Sequence, residues 1–146
     1  MSSSDIDLLV TDFYQTLSFQ TGEEPDLNAL EALFYDEAVL INNTFGRPLS
    51  FTPESFVKAI QTQVADGTMQ QFVQRELFSK TETFGKIAQR VSVYEYSFTD
   101  HESGRIPRGI NYVQCIQTEG KWLISSMAWQ DENENYIIPH EYHIGR

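Results

Sequence analysis

The segment Arg108–Glu132 constrains this chain more than any other. Ile110, Tyr112, Val113, Ile116, Trp122, Ile124 and Trp129 are β-branched or aromatic, types that fit a pleated, half-buried surface. Thr118-Glu119-Gly120-Lys121 interrupts them, and Gly120 supplies the positive φ that tight hairpin turns often need. The segment reads as two long strands joined by a turn. Gln114, Ser125 and Gln130 sit among the apolar residues of both strands. That mixture predicts a sheet face bordering a cavity or an interface as well as a core.

The preceding chain supplies the partners. Ile6, Leu9, Val10, Phe13 and Leu17 recur at helical spacing behind a candidate cap at Ser4. Asp26 is placed to cap a short second helix with Leu27, Leu30, Leu33 and Phe34 inward. Ala38–Ile41 reads as a strand and Asn42, Asn43, Gly46 and Pro48 as a turn-rich loop. Thr52 followed by Pro53 starts a third helix carrying Phe56, Ile60 and Val64, and Gly67 ends it. From Met69 the period changes to two. Phe72, Gln74, Glu76 and Phe78 share one face of the next strand, with Arg75 on the other. Ile87–Phe98 follows, with Ala88, Arg90, Ser92, Tyr94 and Tyr96 on one face. A polar loop spans 100–104. The tail around Tyr136-Ile137-Ile138 adds an edge strand or packs on a partner. Helices gathered on one side of a sheet make an α+β fold, here expected as a single domain over 1–146.

A length of 146 residues and an apolar fraction of 40% suit one globular core. The net charge of −11 argues against nucleic acid and anionic membranes, whose phosphates it would repel. No apolar run approaches the roughly 20 residues of a membrane span, and the first residues lack the pattern of a signal peptide. The cytoplasm is the expected location. Cys115, the one cysteine, lies mid-strand and reads as a small buried hydrophobe. His101 falls in a loop. His140-Glu141-Tyr142-His143 lacks the spacing of a zinc-protease motif. No metal or cofactor is expected.

Phe34-Tyr35-Asp36-Glu37-Ala38 leading into the first strand, and Gly-Lys-Trp-Leu-Ile leading into the last, resemble the nuclear transport factor 2-like superfamily. It includes ketosteroid isomerases, SnoaL-like cyclases, scytalone dehydratase and limonene epoxide hydrolase. A bacterial group of uncharacterised members is more similar still. The matching residues are Arg75-Glu76-Leu77, Phe84-Gly85-Lys86-Ile87-Ala88, Ser92-Val93-Tyr94-Glu95, Arg108-Gly109-Ile110-Asn111, Gln114 and Trp129-Gln130-Asp131-Glu132. The likeness spans about residues 29–132. It implies a cystatin-like cone: three N-terminal helices packed on a strongly curved antiparallel sheet, with a half-open pocket and homodimerisation through the convex sheet face.

The resemblance puts Tyr112, Gln114, Ser125, Met127 and Trp129 toward the cavity. It puts Val113, Cys115, Trp122, Ile124 and Ala128 toward the dimer. Asn42 stands where the isomerases keep their catalytic aspartate, Tyr112 where they keep an oxyanion-hole acid, and Tyr14 near their first-helix tyrosine. An asparagine cannot serve as a general base, so the isomerase mechanism does not transfer. Arg75 and Glu76 point to opposite faces, so one of them enters the cavity or both serve structural ion pairs. Glu95 poses the same alternatives, with Arg75 or Arg108 as partner. Asn111 is expected on the outer face. Three functions fit: a homodimeric domain that binds a small hydrophobic or aromatic ligand, a cofactor-independent isomerase, cyclase or dehydratase acting on a hydrophobic carbonyl compound, and a protein-interaction module.

Overall fold

A computed structural model describes residues 2–98 and 106–142, with side chains from residue 5. The 100–104 loop with His101, and His143, lie outside the described residues, and the candidate cap Ser4 falls within α1, its side chain not among those described. Helix α1 (Ser2–Leu17) buries Ile6, Leu9, Val10, Phe13 and Leu17, the stripe that a 3.6-residue period brings to one side. Helix α2 (Leu27–Glu31) is capped by Asp26, whose carboxylate accepts from the Ala29 amide at 3.2 Å. Leu30 is fully buried, but Phe34 opens strand β1 (Phe34–Asn42) instead of extending the helix. A three-residue strand β2 (Leu49–Phe51), absent from the sequence reading, folds back on β1. Helix α3 (Pro53–Ala65) begins with a reciprocal cap. Thr52 Oγ1 accepts from the Ser55 amide and Ser55 Oγ accepts from the Thr52 amide.

Strands β3 (Val73–Phe84), β4 (Ile87–Ser97), β5 (Arg108–Thr118) and β6 (Lys121–Asp131) form an antiparallel meander. The six-stranded sheet runs β2-β1-β6-β5-β4-β3. It is mixed, not purely antiparallel as expected, because β1 pairs parallel to β6 and covers that strand's free edge. The β5–β6 turn contains only Glu119 and Gly120, at φ 52° and 76°. Two successive positive φ values match the right-handed twist of the flanking strands.

Strand β3 has a bulge between Glu76 and Phe78. The extra residue reverses the alternation, so Phe78 faces away from Gln74 and Glu76 and stacks on Tyr142 at 5.2 Å. A second bulge places Ser125 between the pairs Ser126–Gln114 and Ile124–Cys115. Trp122 and Ile124 therefore share the helix-covered face with Met127 and Trp129.

The faces of β5 are the reverse of those expected. Gly109, Asn111, Val113 and Cys115 are buried against the helices, whereas Tyr112 is 57% exposed on the outer face with Gln114. The neighbouring strand goes with this orientation: Val113 and Cys115 share a face with Trp122 and Ile124 of β6, and all four join α1 in the core. Ala88, Ser92 and Tyr94 are buried on the same inner side. Only Ala128 of the dimer set is exposed on the outer face. That face displays Val39, Phe84, Ile87 and Tyr112 instead. Tyr136–Ile138 form no strand, although Ile138 is buried and its amide donates to Glu132 Oε2 at 2.9 Å. No helix of the described residues is long and apolar enough to cross a membrane.

Candidate functional site

The inner face of the sheet is filled unevenly. At one end Ile124, Leu30 and Ile6 close the core. At the other end a cavity of about 290 Å³ remains between the sheet, α1 and α3. Met127, Trp129 and Asp131 of β6 line it at alternate positions, beside Asn111 of β5. Phe13 and Leu17 of α1 and Phe56 and Ile60 of α3 form the opposite wall. Aromatic edges fix that wall: the Phe56 ring meets Trp129 at 5.9 Å and Phe51 at 5.7 Å. Phe72 and Tyr96, 5.5 Å apart, bound another side, and the exposed Phe45 and Phe98 stand at the margin.

Two tyrosines converge on one carboxylate in this apolar setting. The Tyr94 hydroxyl donates to Asp131 Oδ1 at 2.6 Å and the Tyr96 hydroxyl donates to Oδ2. Burial first, then the Asp131 charge, pushes Tyr94 far above the ordinary phenol range. Burial and the same hydrogen bond raise Tyr96. Both phenols therefore stay protonated as donors. Gly109 makes the arrangement possible. A Cβ at this position would lie 2.2 Å from the Tyr94 hydroxyl oxygen and 2.5 Å from the Gln130 carbonyl oxygen. Asp131 is anchored through its backbone as well, since its amide donates to Thr44 Oγ1 at 3.0 Å.

A second polar chain runs behind the cavity floor. Arg90, 4% exposed, holds Glu76 with two hydrogen bonds of 2.6 and 3.1 Å and reaches Asp7 at 2.6 Å and Thr81 at 3.0 Å. Ser92 Oγ donates its only proton to Glu76 Oε2 at 2.6 Å. The Tyr14 hydroxyl, 2.8 Å from Ser92 Oγ, must then be the donor in that pair. Its oxygen is left free to accept, and Asn111 is a polar neighbour that favours the ionised form of Tyr14. Burial pushes the Tyr14 hydroxyl up to about 12, against the opposing effect of its polar neighbours Ser92 and Asn111. Asn111, 3% exposed, is left with Oδ1 buried and without a hydrogen-bond partner among the described residues.

The residues singled out from sequence separate into three places. Met127 and Trp129 line the cavity. Tyr14 and Glu76 belong to the polar chain behind it. Tyr112, Gln114 and Ser125 lie away from the cavity; Gln114 accepts from Ser126 Oγ at 3.0 Å and its carbonyl accepts from Ser125 Oγ at 3.1 Å. Arg75 and Glu95 are opposite one another on the outer face and paired at 2.6 Å, with Arg108 at 4.0 Å. Sequence reasoning missed Asn111, Asp131, Tyr94 and Tyr96. Asn111, Asp131 and Tyr94 sit inside the matched segments and Tyr96 one residue beyond one of them, at alternate strand positions that periodicity could have grouped. Asn42 lines the cavity as well. Burial raises the Cys115 thiol to about 12, which makes it a poor nucleophile. Among the described residues no group of three or more His, Cys, Asp and Glu side chains could hold a metal ion.

No family model matches the chain, and no curated protein matches it in sequence. Solved structures do match. A protein of unknown function with a cystatin-like fold from Nostoc punctiforme PCC 73102 superposes with a TM-score of 0.70 at 14% identity, over 90% of this chain and 92% of its own. An NTF2-like protein of unknown function from Pseudomonas putida KT2440 gives 0.71 at 12% identity, over 100% and 99%. A putative Ca/calmodulin-dependent kinase II association domain from Exiguobacterium sibiricum gives 0.65 at 14%, over 90% and 94%. At these identities the likeness concerns the backbone path: the chain shares the α+β, cystatin-like fold of these NTF2-like structures.

Proposed function

We propose that this chain is a small-molecule-binding domain whose ligand occupies the cavity lined by Trp129, Asn111 and Asp131, at the mouth of a half-open cone. The buried, unpartnered Asn111 Oδ1 carries this reading. A buried acceptor left unsatisfied costs roughly 1–3 kcal/mol, and a ligand donor removes that cost. The apolar and aromatic walls with few polar groups are those of a ligand site.

A second reading, acid–base catalysis on a hydrophobic carbonyl compound, is favoured by the Asp131 carboxylate lying 2.6 Å from the Tyr94 hydroxyl inside the same apolar cavity. Binding takes precedence because both phenol protons are committed to Asp131 and neither is free to polarise a carbonyl.

The domain works as a homodimer in this proposal. Support comes from the exposed apolar Ile87 and Tyr112 on the outer face and from a structural neighbour whose own name is that of an association domain. Native mass spectrometry of freshly purified protein tests both parts. The expected result is a dimer carrying a non-covalent small molecule that leaves on denaturation, with Tyr112→Glu giving a monomer. A ligand-free monomer would overturn the reading.

A further inference from the structure

The ligand's chemistry follows from what the cavity leaves unpaired. We propose that the occupant is an apolar, aromatic molecule bearing a protonated amine, held by Asp131 and Asn111; this rests on the ligand-site reading above. Asn111 Oδ1 can only accept. It is buried without a hydrogen-bond partner among the described residues, and the neighbouring Tyr14 hydroxyl cannot supply one because its own proton goes to Ser92. The two Asp131 oxygens each take one phenol proton, yet a carboxylate offers about four lone-pair sites, so acceptor capacity remains. The group the site asks for is therefore a multiple donor. An ammonium supplies three donors and a charge opposite to that of Asp131, which has no ion-pair partner among the described residues.

Placement agrees. Asn111 pairs with Trp129 and Gly109 pairs with Asp131, so Asn111 and Asp131 are diagonal neighbours on the inner face. Such neighbours have Cα atoms roughly 7–8 Å apart, a span that two short side chains and one ammonium can bridge. Trp129, Tyr94, Tyr96 and Phe72 surround the position with ring systems, whose faces attract cations. No lysine, arginine or histidine is among the described lining residues, so a ligand carboxylate would meet Asp131 with no described cation to offset it. Gln74 and Asn42 carry neutral amides and do not set the sign of the charge.

Calorimetric titration of the full chain at neutral pH with naphthylmethylamine, naphthylmethanol and naphthoate tests this. The three share a flat aromatic body and differ in the polar group. The amine is expected to bind roughly tenfold or more tighter than the alcohol, and naphthoate is expected not to bind. Asp131→Asn, checked by circular dichroism for retained fold, should bring the amine to the level of the alcohol. Should that variant fail to fold, the ranking on the wild-type chain decides alone. Alcohol binding as tightly as the amine, or naphthoate binding best, overturns the amine assignment and leaves the ligand site standing. Failure of all three to bind overturns both.

Discussion

Gly109→Ala tests the geometry of the Asp131 site most sharply among single substitutions. The added methyl would lie 2.2 Å from the Tyr94 hydroxyl oxygen, 2.5 Å from the ring carbon bearing it and 2.5 Å from the Gln130 carbonyl oxygen. The carbonyl belongs to β6 and cannot rotate away, so relief requires the buried Tyr94 ring to leave the carboxylate and shift toward the cavity it lines. Overpacking of this kind costs about 1–3 kcal/mol. Pulling Tyr94 off the carboxylate forfeits a hydrogen bond to a charged group, about 1.5–3 kcal/mol. Reduced freedom of the unfolded chain returns about 0.4–1 kcal/mol. The net loss is about 2–5 kcal/mol, or a fall in Tm of roughly 6–15 °C for a chain of this size. Thermal unfolding followed by circular dichroism measures it. Tyr94→Phe removes one of the three clashing atoms, so the double variant should be more stable than the sum of the two single losses predicts, by about 1 kcal/mol. A Tm within about 2 °C of wild type, together with strict additivity, would refute the close approach of Gly109 and Tyr94.

Arg90→Met should cost about 3–5 kcal/mol in urea unfolding, because it leaves Glu76 partly buried without its partner. Glu95→Ala, which breaks a pair whose arginine side chain is 69% exposed, should cost at most about 1 kcal/mol; equal losses would contradict the inner and outer assignments. Stability should also fall in alkali. Tyr14 rises from 10.0 to about 12 and Cys115 from 9.0 to about 12, so the folded chain keeps protons that the unfolded chain releases. This contribution is complete below pH 9.0 and is lost as pH rises toward 12, by about 1.4 kcal/mol per group per pH unit. Cys115→Ala should flatten the early part of the decline, and a urea midpoint unchanged across that range would contradict the burial of both groups.

Helices and strands were legible wherever one period ran unbroken. The α1 stripe, the Thr52 cap and the alternation of β4 each follow from local residues, and all three appear in the fold. Strand faces were harder because periodicity tells which residues share a face without telling which face meets the helices. On β5 both sets are half apolar, and the orientation depends on whether Val113 and Cys115 or Ile110 and Tyr112 lie under α1. Bulges at Ser125 and after Glu76 then shift parity within a strand, which no alternation pattern anticipates. The polar residues carried a misleading signal as well. Gln114 and Ser125, odd among apolar neighbours, are simply outward-facing, whereas the buried Asn111 was assigned outward. Asp131 escaped notice because its partners Tyr94 and Tyr96 come from a strand 35 or more residues earlier.

The inward orientation of Asn111 and Trp129 is the claim on which the ligand site stands. Nitrogen–proton correlation spectra of the labelled chain, recorded during titration with naphthylmethylamine, test it directly. The side-chain amide of Asn111 and the indole of Trp129 should shift with saturation, while the indole of Trp122, deep in the core, and the side-chain amide of Gln114 on the outer face should stay in place. Shifts confined to Gln114, with Asn111 and Trp129 unmoved, would contradict the account.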